Sequence, residues 1–320
     1  MKRSTTILTI LIALLFFTTN SFAEKYAGEI FDMGIGVRNL AIGNLGITDT
    51  DTKSKAYWNA SLLGNSSGIE TEVMHSEEFN GLLSYDTASL TWGKTNRYNL
   101  ILSRINISDI GLTKLENPDE EISDENRPYI YKNISNSDYI IYFGFMKKIK
   151  KLPVGITTKL IYRNLAEKSG YGFGADLTTH YYLNQKILLG ARLHDFFSTQ
   201  IFWESGNHEI INPGLDLESR FQFLIPLIER KSFFYLNFET LFEGREEAAN
   251  LSFSEISTEI HTGLELNLHK YLDLYLGYDY KHFTSGLSLN LYNFDLNYSF
   301  ETHSSLDNSH RISVGYKFNN

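Results

Sequence analysis

Apolar and polar residues alternate with a period of two through the second half of the chain. Between Gly214 and Pro226 one set of alternate positions is apolar, namely Leu215, Leu217, Phe221, Phe223 and Ile225, while the other holds Asp216, Glu218, Arg220 and Gln222. Residues 259–268 and 293–301 show the same pattern. A period of two indicates strands with one apolar and one polar face, and helical spacing fits none of these runs. The pattern therefore predicts an all-β fold.

The same reading divides residues 69–318 into fourteen candidate strands. They lie near residues 69–78, 80–92, 96–106, 138–147, 153–163, 170–182, 187–197, 214–225, 232–242, 257–268, 271–283, 286–292, 293–302 and 309–318. Most of them have the length that a tilted strand needs to cross a bilayer. Beyond residue 23, no window approaches the uninterrupted apolar run of a membrane-spanning helix, which excludes a helical membrane protein.

Connector lengths test this assignment independently. Barrels of the outer membrane have long extracellular loops and short periplasmic turns. The three longest gaps, near residues 107–137, 198–213 and 243–256, follow strands three, seven and nine, so all three fall on the same side. A soluble sandwich has no reason to obey this parity. We therefore predict a transmembrane antiparallel β-barrel of about fourteen strands.

The last candidate strand supports a closed barrel. In residues 309–318, Ile312, Val314, Tyr316 and Phe318 share one face. An alternating final strand with an aromatic residue near its end is typical of outer-membrane proteins, where it closes the barrel against the first strand. The alternative, an edge strand of a soluble protein, would expose a flat apolar edge that invites aggregation.

The N-terminus has the layout of a secretory signal peptide. Lys2 and Arg3 precede an apolar stretch at residues 7–17, and a short polar region ends at Ala23. This apolar stretch is too short to span a bilayer as a retained anchor. We expect residues 1–23 to be a cleaved signal peptide, residues 24–68 an N-terminal segment and residues 69–320 the barrel, located in the cell outer membrane.

Composition agrees with a barrel and excludes one class of partner. The chain has 20 Tyr and 22 Phe, although its mean hydropathy is only -0.23, and aromatic girdles on half-polar strands produce that combination. It has no cysteine, so its stability must come from a backbone ladder or a large core. Without Lys2 and Arg3 the formal charge is 27 minus 38, or -11, which argues against nucleic acid as a partner.

The sequence shows little sign of catalytic or metal chemistry. The nine histidines are scattered, with no two at a tight metal-ligand spacing, so neither a metal nor a cofactor is expected. His194 and Asp195 are the only adjacent pair that a catalytic site near the outer rim could use, and no nucleophile motif accompanies them. We predict that the protein is not an enzyme.

Residues 24–68 do not alternate and are rich in glycine. Through Met33–Gly43, Asp49–Asp51 and Tyr57–Leu62, this segment resembles the PorV/PorQ family of outer-membrane proteins, relatives of the FadL fatty-acid transporters. Ala60 and Ser61 depart from the family, which commonly has Pro and Ala there. The resemblance implies a fourteen-stranded barrel whose N-terminal segment plugs the lumen.

By this resemblance the N-terminal segment would lie in the barrel mouth. Arg38 or Asp49 would then pair with inward charges such as Glu265 or Asp295, because a buried unpaired charge is costly. The candidate lumen-facing residues, for binding a ligand or pairing with the plug, are Arg38, Asp49, Asn59, Asp216, Glu218, Arg220, Glu265, Asp279 and Asp295.

The leading functional hypothesis is a FadL-like channel or carrier for hydrophobic or amphipathic small molecules. The alternative is a PorV-like component or acceptor of a protein secretion system, and a third is a structural barrel that moves no solute. The expected partners are therefore membrane lipid and either a hydrophobic small molecule or a secretion-system protein.

Overall fold

A computed structural model describes residues 28–166, 168–226, 228–245, 249–303 and 306–318. Seventeen strands form one sheet among these residues. They are β1 (Ile69–Glu78), β2 (Leu83–Trp92), β3 (Tyr98–Lys114), β4 (Tyr129–Ile149), β5 (Leu152–Leu165), β6 (Lys168–Tyr182), β7 (Ile187–His194), β8 (Thr199–Trp203), β9 (His208–Ile211), β10 (Gly214–Ile225), β11 (Arg230–Leu241), β12 (Leu251–Phe253), β13 (Ile256–His269), β14 (Leu272–Asp279), β15 (His282–Leu291), β16 (Phe294–Glu301) and β17 (Ser309–Phe318). The predicted signal peptide lies outside the described residues.

Fourteen of these strands close into a barrel. The first strand, β1, pairs with β2 on one side and with the last strand, β17, on the other, so that Val73 lies opposite both Ala88 and Val314. β7 pairs directly with β10, and β11 with β13, which leaves the short β8, β9 and β12 outside the ring. Every pairing is antiparallel, and closure removes the unpaired edges of an open sheet. The predicted antiparallel barrel of fourteen strands is confirmed.

The apolar face of the sheet points outward. In β10, Leu217 is 52% exposed, whereas its neighbours Asp216 and Glu218 are buried. In β17, Ile312 and Val314 are likewise exposed, whereas Arg311 and Ser313, which alternate with them, are buried. A soluble protein buries its apolar face, so this inversion is the arrangement of a barrel whose outer surface contacts lipid.

The two ends of the barrel differ in connector length. At one end, which we call the long-loop end, the connections include residues 115–128, 195–213, 242–255 and 302–308. At the other, the short-turn end, the longest connection is residues 93–97. The chain enters β1 and leaves β17 at the short-turn end, in agreement with the predicted parity of loops and turns.

Several predicted strand limits were wrong. The gap predicted at residues 107–137 is largely a hairpin, because β3 and β4 remain paired up to Lys114 and Tyr129 across two irregularities in register. The gap at 198–213 contains β8 and β9, with β8 paired to β6. The strand predicted at 271–283 ends at Asp279, since a turn at residues 280–281 carries no glycine, proline or asparagine to mark it.

The N-terminal segment contains four short helical pieces before β1. They are a 3-10 helix (Glu29–Phe31), α1 (Val37–Ala41), α2 (Lys55–Trp58) and a second 3-10 helix (Ala60–Asn65). Among the described residues no helix has the length and apolar character needed to cross a bilayer. Ile35, Ile42 and Leu45 have no exposed surface, so this segment is enclosed.

Candidate functional site

The N-terminal segment passes from one end of the barrel to the other. Gly28 and Asp32 line a cavity at the long-loop end, together with Asn212 in the β9–β10 connection. Asn65 and Ser66 instead line a cavity at the short-turn end. Residues 28–66 therefore cross the space inside the closed sheet, where they meet the inward side chains of the strands.

Arg38 joins this segment to β13 and β14. Its Nε donates to Asp49 Oδ2 at 2.9 Å, Nη2 to Glu265 Oε2 at 2.6 Å and Nη1 to the hydroxyl of Tyr275 at 2.8 Å. Glu265 also accepts from the Tyr235 hydroxyl at 2.8 Å. Burial alone would raise the pKa of Asp49, but the charge and hydrogen bonds of Arg38 outweigh it and hold this pKa below its ordinary value.

Glu218 on β10 holds the next part of the segment. Its carboxylate accepts the backbone N–H groups of Gly46, Ile47 and Thr48 at 3.2, 3.1 and 2.7 Å. The Thr48 hydroxyl donates to the same carboxylate at 2.5 Å. Arg220, the next inward residue of β10, donates to a Thr50 hydroxyl in the segment. These bonds give partners to the buried backbone N–H groups of the turn at residues 46–48 and to the buried carboxylate of Glu218.

Gly43 lets the backbone of the segment touch the barrel wall. Its φ is 97°, a region in which residues with a Cβ are strained. A Cβ built there would lie 2.6 Å from the Thr262 carbonyl oxygen of β13. Gly277 of β14 faces it, since a Cβ on Gly277 would lie 2.2 Å from the Gly43 nitrogen. Both glycines are needed for this close approach.

Near the short-turn end, two lysines of the segment pair with carboxylates of the barrel strands. Lys53 Nζ lies 2.5 Å from Asp295 Oδ1 of β16. The buried Lys55 lies 3.6 Å from a carboxylate oxygen of Glu70 and donates to the carbonyl of Thr52. Asp295 is thus paired with Lys53 rather than with Arg38 or Asp49. Neither lysine was among the predicted residues.

The three remaining predicted residues make contacts outside these groups. Asn59 is within the segment, where its amide donates to the Ile47 carbonyl at 2.7 Å. Asp216 pairs with Arg192, whose Nε lies 2.5 Å from Asp216 Oδ2. Asp279 Oδ1 lies 2.7 Å from His261 Nδ1 at the long-loop end. The last two carboxylates therefore belong to the barrel wall.

Arg192 connects that wall to the segment and was also missed. Its guanidinium carbon lies 5.4 Å from the centre of the Tyr57 ring and 5.7 Å from that of Trp58. Its Nη1 donates to the Tyr57 carbonyl at 3.4 Å. The sequence around Arg192, Ile187–His194, alternates poorly, so its inward direction was not evident.

Part of the lumen wall is apolar. Inward residues of β2 to β5 pack with the segment in a single buried cluster, whose strand members include Tyr85, Ile101, Ile105, Ile140, Tyr142 and Ile161. The segment contributes Phe31, Ile35 and Trp58, among others. Because Leu102 and Leu160 are exposed on the outer face of these strands, β3 and β5 carry apolar side chains on both faces, which weakens their alternation.

A cavity of about 380 Å³ lies on each side of the segment. The one at the long-loop end is lined partly by the apolar side chains of Met33, Leu40, Phe79 and Leu306. The one at the short-turn end is lined mainly by polar groups, including Lys53 and Asp295. The segment therefore separates a partly apolar vestibule from a polar one.

No protein-family model and no curated protein matches this sequence, but solved structures do. The Ralstonia pickettii toluene transporter TbuX matches with a TM-score of 0.59 at 11% identity, over 90% of this chain and 99% of that one. The Pseudomonas putida toluene transporter TodX matches with a TM-score of 0.55 at 13% identity, over 88% and 96%. A Pseudomonas aeruginosa FadL homologue matches with a TM-score of 0.50 at 10% identity, over 89% and 98%. The chain thus has the fold of the FadL-like outer-membrane barrels.

Proposed function

We propose that this protein is an outer-membrane channel or carrier for hydrophobic or amphipathic small molecules, plugged by residues 28–68. The observation that carries the proposal is the apolar part of the lumen wall, formed by inward residues of β2 to β5 such as Ile101, Ile140 and Tyr142. The interior of a water-filled porin is polar. Buried apolar side chains facing inward instead suit a solute that leaves water.

The vestibule at the long-loop end is the entry in this proposal. Met33 lines that vestibule and packs against the buried apolar cluster, so it lies at the junction between the two. A hydrophobic solute would bind beside Met33 and Leu40 and displace apolar plug side chains such as Phe31. It would then leave towards the polar vestibule at the short-turn end or through the wall. Two of the similar structures are toluene transporters, which supports this class of solute.

The PorV/PorQ resemblance favours a second candidate, a component or acceptor of a secretion system. The β3–β4 hairpin carries exposed Tyr129, Ile130 and Tyr131, and a protein partner would dock on such a surface. Co-purification of a large secretion complex from native membranes, lost when residues 115–128 are shortened, would favour this candidate.

The transport proposal is tested by uptake into cells with and without the gene. Radiolabelled toluene and a labelled long-chain fatty acid are the two probes, and at least one should enter faster in cells that carry the gene. Met33→Trp should slow this uptake, because the larger ring fills the vestibule. The matched control is Leu82→Trp, at the exposed β1–β2 turn of the same end and not in the vestibule lining.

Equal uptake of both probes with and without the gene would contradict the transport proposal. It would leave the docking candidate, or a barrel that moves no solute. Uptake that Met33→Trp and Leu82→Trp slow equally would remove the vestibule from the proposed route.

A further inference from the structure

Carboxylates and imidazoles from neighbouring strands converge inside the barrel near the long-loop end. Asp216 of β10 lies directly opposite Glu239 of β11, and Glu239 lies opposite Glu259 of β13. His194 ends β7 beside them, and His261 follows Glu259 on the same face of β13. Like charges placed directly opposite one another on adjacent strands repel, so this arrangement needs positive charge near it.

Four buried ligand-type atoms in this cluster make no hydrogen bond among the described residues. Two are the ring nitrogens of His261, which lie 2.7 Å from Asp279 Oδ1 and 3.5 Å from Glu239 Oε2. The other two are His194 Nε2 and Asp216 Oδ1, on side chains that are 6% and 0% exposed. Leaving such groups unsatisfied costs free energy, and each one in a native protein calls for an explanation. A bound cation supplies it, because an imidazole nitrogen and a carboxylate oxygen are both metal ligands.

The distances suit a small metal ion. One ligand atom each from His194, Asp216 and Glu239 can be chosen so that all three lie within 4.8 Å of one another. His194 Nε2 is 3.8 Å from Glu239 Oε1. A tetrahedral zinc ion with bonds of about 2.1 Å separates its ligand atoms by about 3.4 Å, so small side-chain movements complete the geometry.

Neighbouring groups hold these ligands in the required orientation. Asp195 Oδ2 lies 3.2 Å from His194 Nδ1, which directs Nε2 towards Glu239, as in the carboxylate–histidine pairs of known zinc sites. Lys159 in turn lies 2.6 Å from Asp195 Oδ1. Arg192 occupies Asp216 Oδ2 and so leaves Oδ1 available.

Gly214 makes room for the imidazole of His194. The two residues lie opposite each other on β10 and β7. A Cβ built on Gly214 would lie 2.0 Å from His194 Nε2. A small cavity at the long-loop end reaches His194 and Asp195 and provides a path for an ion and for water.

We infer that His194 Nε2, Asp216 Oδ1 and Glu239 Oε1 bind one divalent transition-metal ion of the zinc type, with water as the fourth ligand. Glu239 Oε2 lies 3.5 Å from His261 Nε2, so His261 is a positioning residue that orients the shared carboxylate. The scattered histidines had argued against zinc in the sequence. Adjacent antiparallel strands, however, bring together residues some twenty positions apart, which a search for tight spacing cannot detect.

The test uses the full-length barrel in detergent, stripped with EDTA and titrated with Zn²⁺ in a calorimeter. Wild type should bind one equivalent at this site. His194→Ala and Asp216→Asn should weaken that binding by about 100-fold or more, and Asp195→Asn by about 10-fold, the span seen around metal sites. Co²⁺ in place of Zn²⁺ should give a visible absorption band in wild type that Asp195→Asn shifts, which a merely structural role would not do.

His75→Ala is the matched control. His75 Nδ1 also lies beside a carboxylate, at 2.6 Å from Asp86 Oδ1, but this pair is exposed. Its loss should leave Zn²⁺ binding unchanged. A gel that separates folded from heat-unfolded barrel confirms that each variant folds.

Two results would overturn the inference. One is a wild-type protein that binds no Zn²⁺, and the other is full binding by folded His194→Ala. Two other histidine-containing groups lie at this end among the described residues. The second result would be accompanied by loss of binding in His303→Ala if the ion instead binds His282, Glu301 and His303, and in Glu259→Gln if it binds Glu239, Glu259 and His261.

Discussion

Nη2 of Arg38 lies 2.6 Å from Oε2 of Glu265, although the two residues are 227 positions apart in the chain. The Glu265 side chain is 2% exposed and that of Arg38 is 15% exposed. The contact joins the N-terminal segment to the inward face of β13. Together with Glu218 and Lys53, it holds the segment across the lumen by charged groups rather than by packing alone.

Removing Arg38 should strongly destabilise the protein. Arg38→Met leaves the carboxylates of Asp49 and Glu265 buried without their cation, and breaking such a pair costs about 3–5 kcal/mol. Adding Glu265→Gln should recover part of this loss, because it removes one of the unpaired charges. The free energy of unfolding, measured by urea titration in detergent micelles, checks both variants.

The control for the Arg38 variants is Arg127→Met, whose partner Asp124 is 92% exposed, and it should cost less than about 1 kcal/mol. A loss below about 1 kcal/mol in Arg38→Met would contradict a stabilising role for the pair.

Glu218→Ala should loosen the segment and open the barrel to ions. The substitution removes the acceptor of three backbone N–H groups and one hydroxyl, and hydrogen bonds to a charged group contribute about 1.5–3 kcal/mol each. We expect a higher single-channel conductance in planar bilayers than wild type shows. Gln222→Ala, four residues along the same face of β10, is the control and should conduct like wild type. Wild-type conductance in Glu218→Ala would mean that residues 28–68 do not close the pore.

A charge on the outer face of β10 should hinder membrane insertion. Leu217 is 52% exposed on the apolar face, and an arginine facing lipid costs about 2–4 kcal/mol near the bilayer midplane. Leu217→Arg should therefore make folding into lipid vesicles less favourable by about this amount. Ile122→Arg, in the loop between β3 and β4, changes a residue that is 72% exposed but lies outside the predicted lipid contact, and it should have little effect. Equal losses in the two variants would argue against lipid contact at Leu217.

Gly43→Ala should lower the free energy of unfolding by more than the strain of a left-handed backbone alone explains. That backbone costs a residue with a Cβ about 1–2 kcal/mol, and the clash with the Thr262 carbonyl adds about 1–3 kcal/mol of overpacking. Gly81→Ala is the matched control, since Gly81 also has a positive φ, of 83°, but nothing lies within 4 Å of its added Cβ. The loss of unfolding free energy in Gly43→Ala should exceed that in Gly81→Ala by the cost of the clash. If they are equal, the segment does not pack against β13 as described.

Acid should weaken the segment through Asp49. The pKa of Asp49 is lower in the folded protein than in the unfolded chain. Its ion pair with Arg38 therefore stabilises the fold fully at pH values above the pKa that Asp49 has in the unfolded chain. The stabilisation is lost as pH falls through the folded pKa. Asp49→Asn should therefore be less sensitive to pH below about pH 4 than wild type, as urea midpoints between pH 7 and pH 2 would show. Asp51→Asn, at a side chain that is 68% exposed, should keep the wild-type dependence. A wild-type dependence in Asp49→Asn would show that another group controls acid unfolding.

The sequence predicted strands better than it predicted their partners. In β10 five of the six alternate positions from Leu215 to Ile225 are apolar, and this local pattern was enough to place the strand at 214–225, where the structure has it. The β3–β4 hairpin was shortened to 96–106 and 138–147 because its outer part, residues 107–114 and 129–137, does not alternate regularly. Arg192, Lys53 and the apolar residues inside β2 to β5 were missed for a related reason. Their environment is made by the N-terminal segment, which has no periodic relation to the strands.

By itself, the sequence determined the architecture: all-β, antiparallel, fourteen strands and long loops at one end. Alternation is a local property of each strand, because lipid on one side and the lumen on the other act on every strand separately. Connector length is likewise a local property of each loop or turn. Only the tertiary structure decided which inward charge meets which, as with Arg38 and Glu265, Lys53 and Asp295, or His194 and Glu239. Those contacts depend on strand register and on the path of residues 28–68 through the lumen, and both emerge only when the sheet closes around the segment.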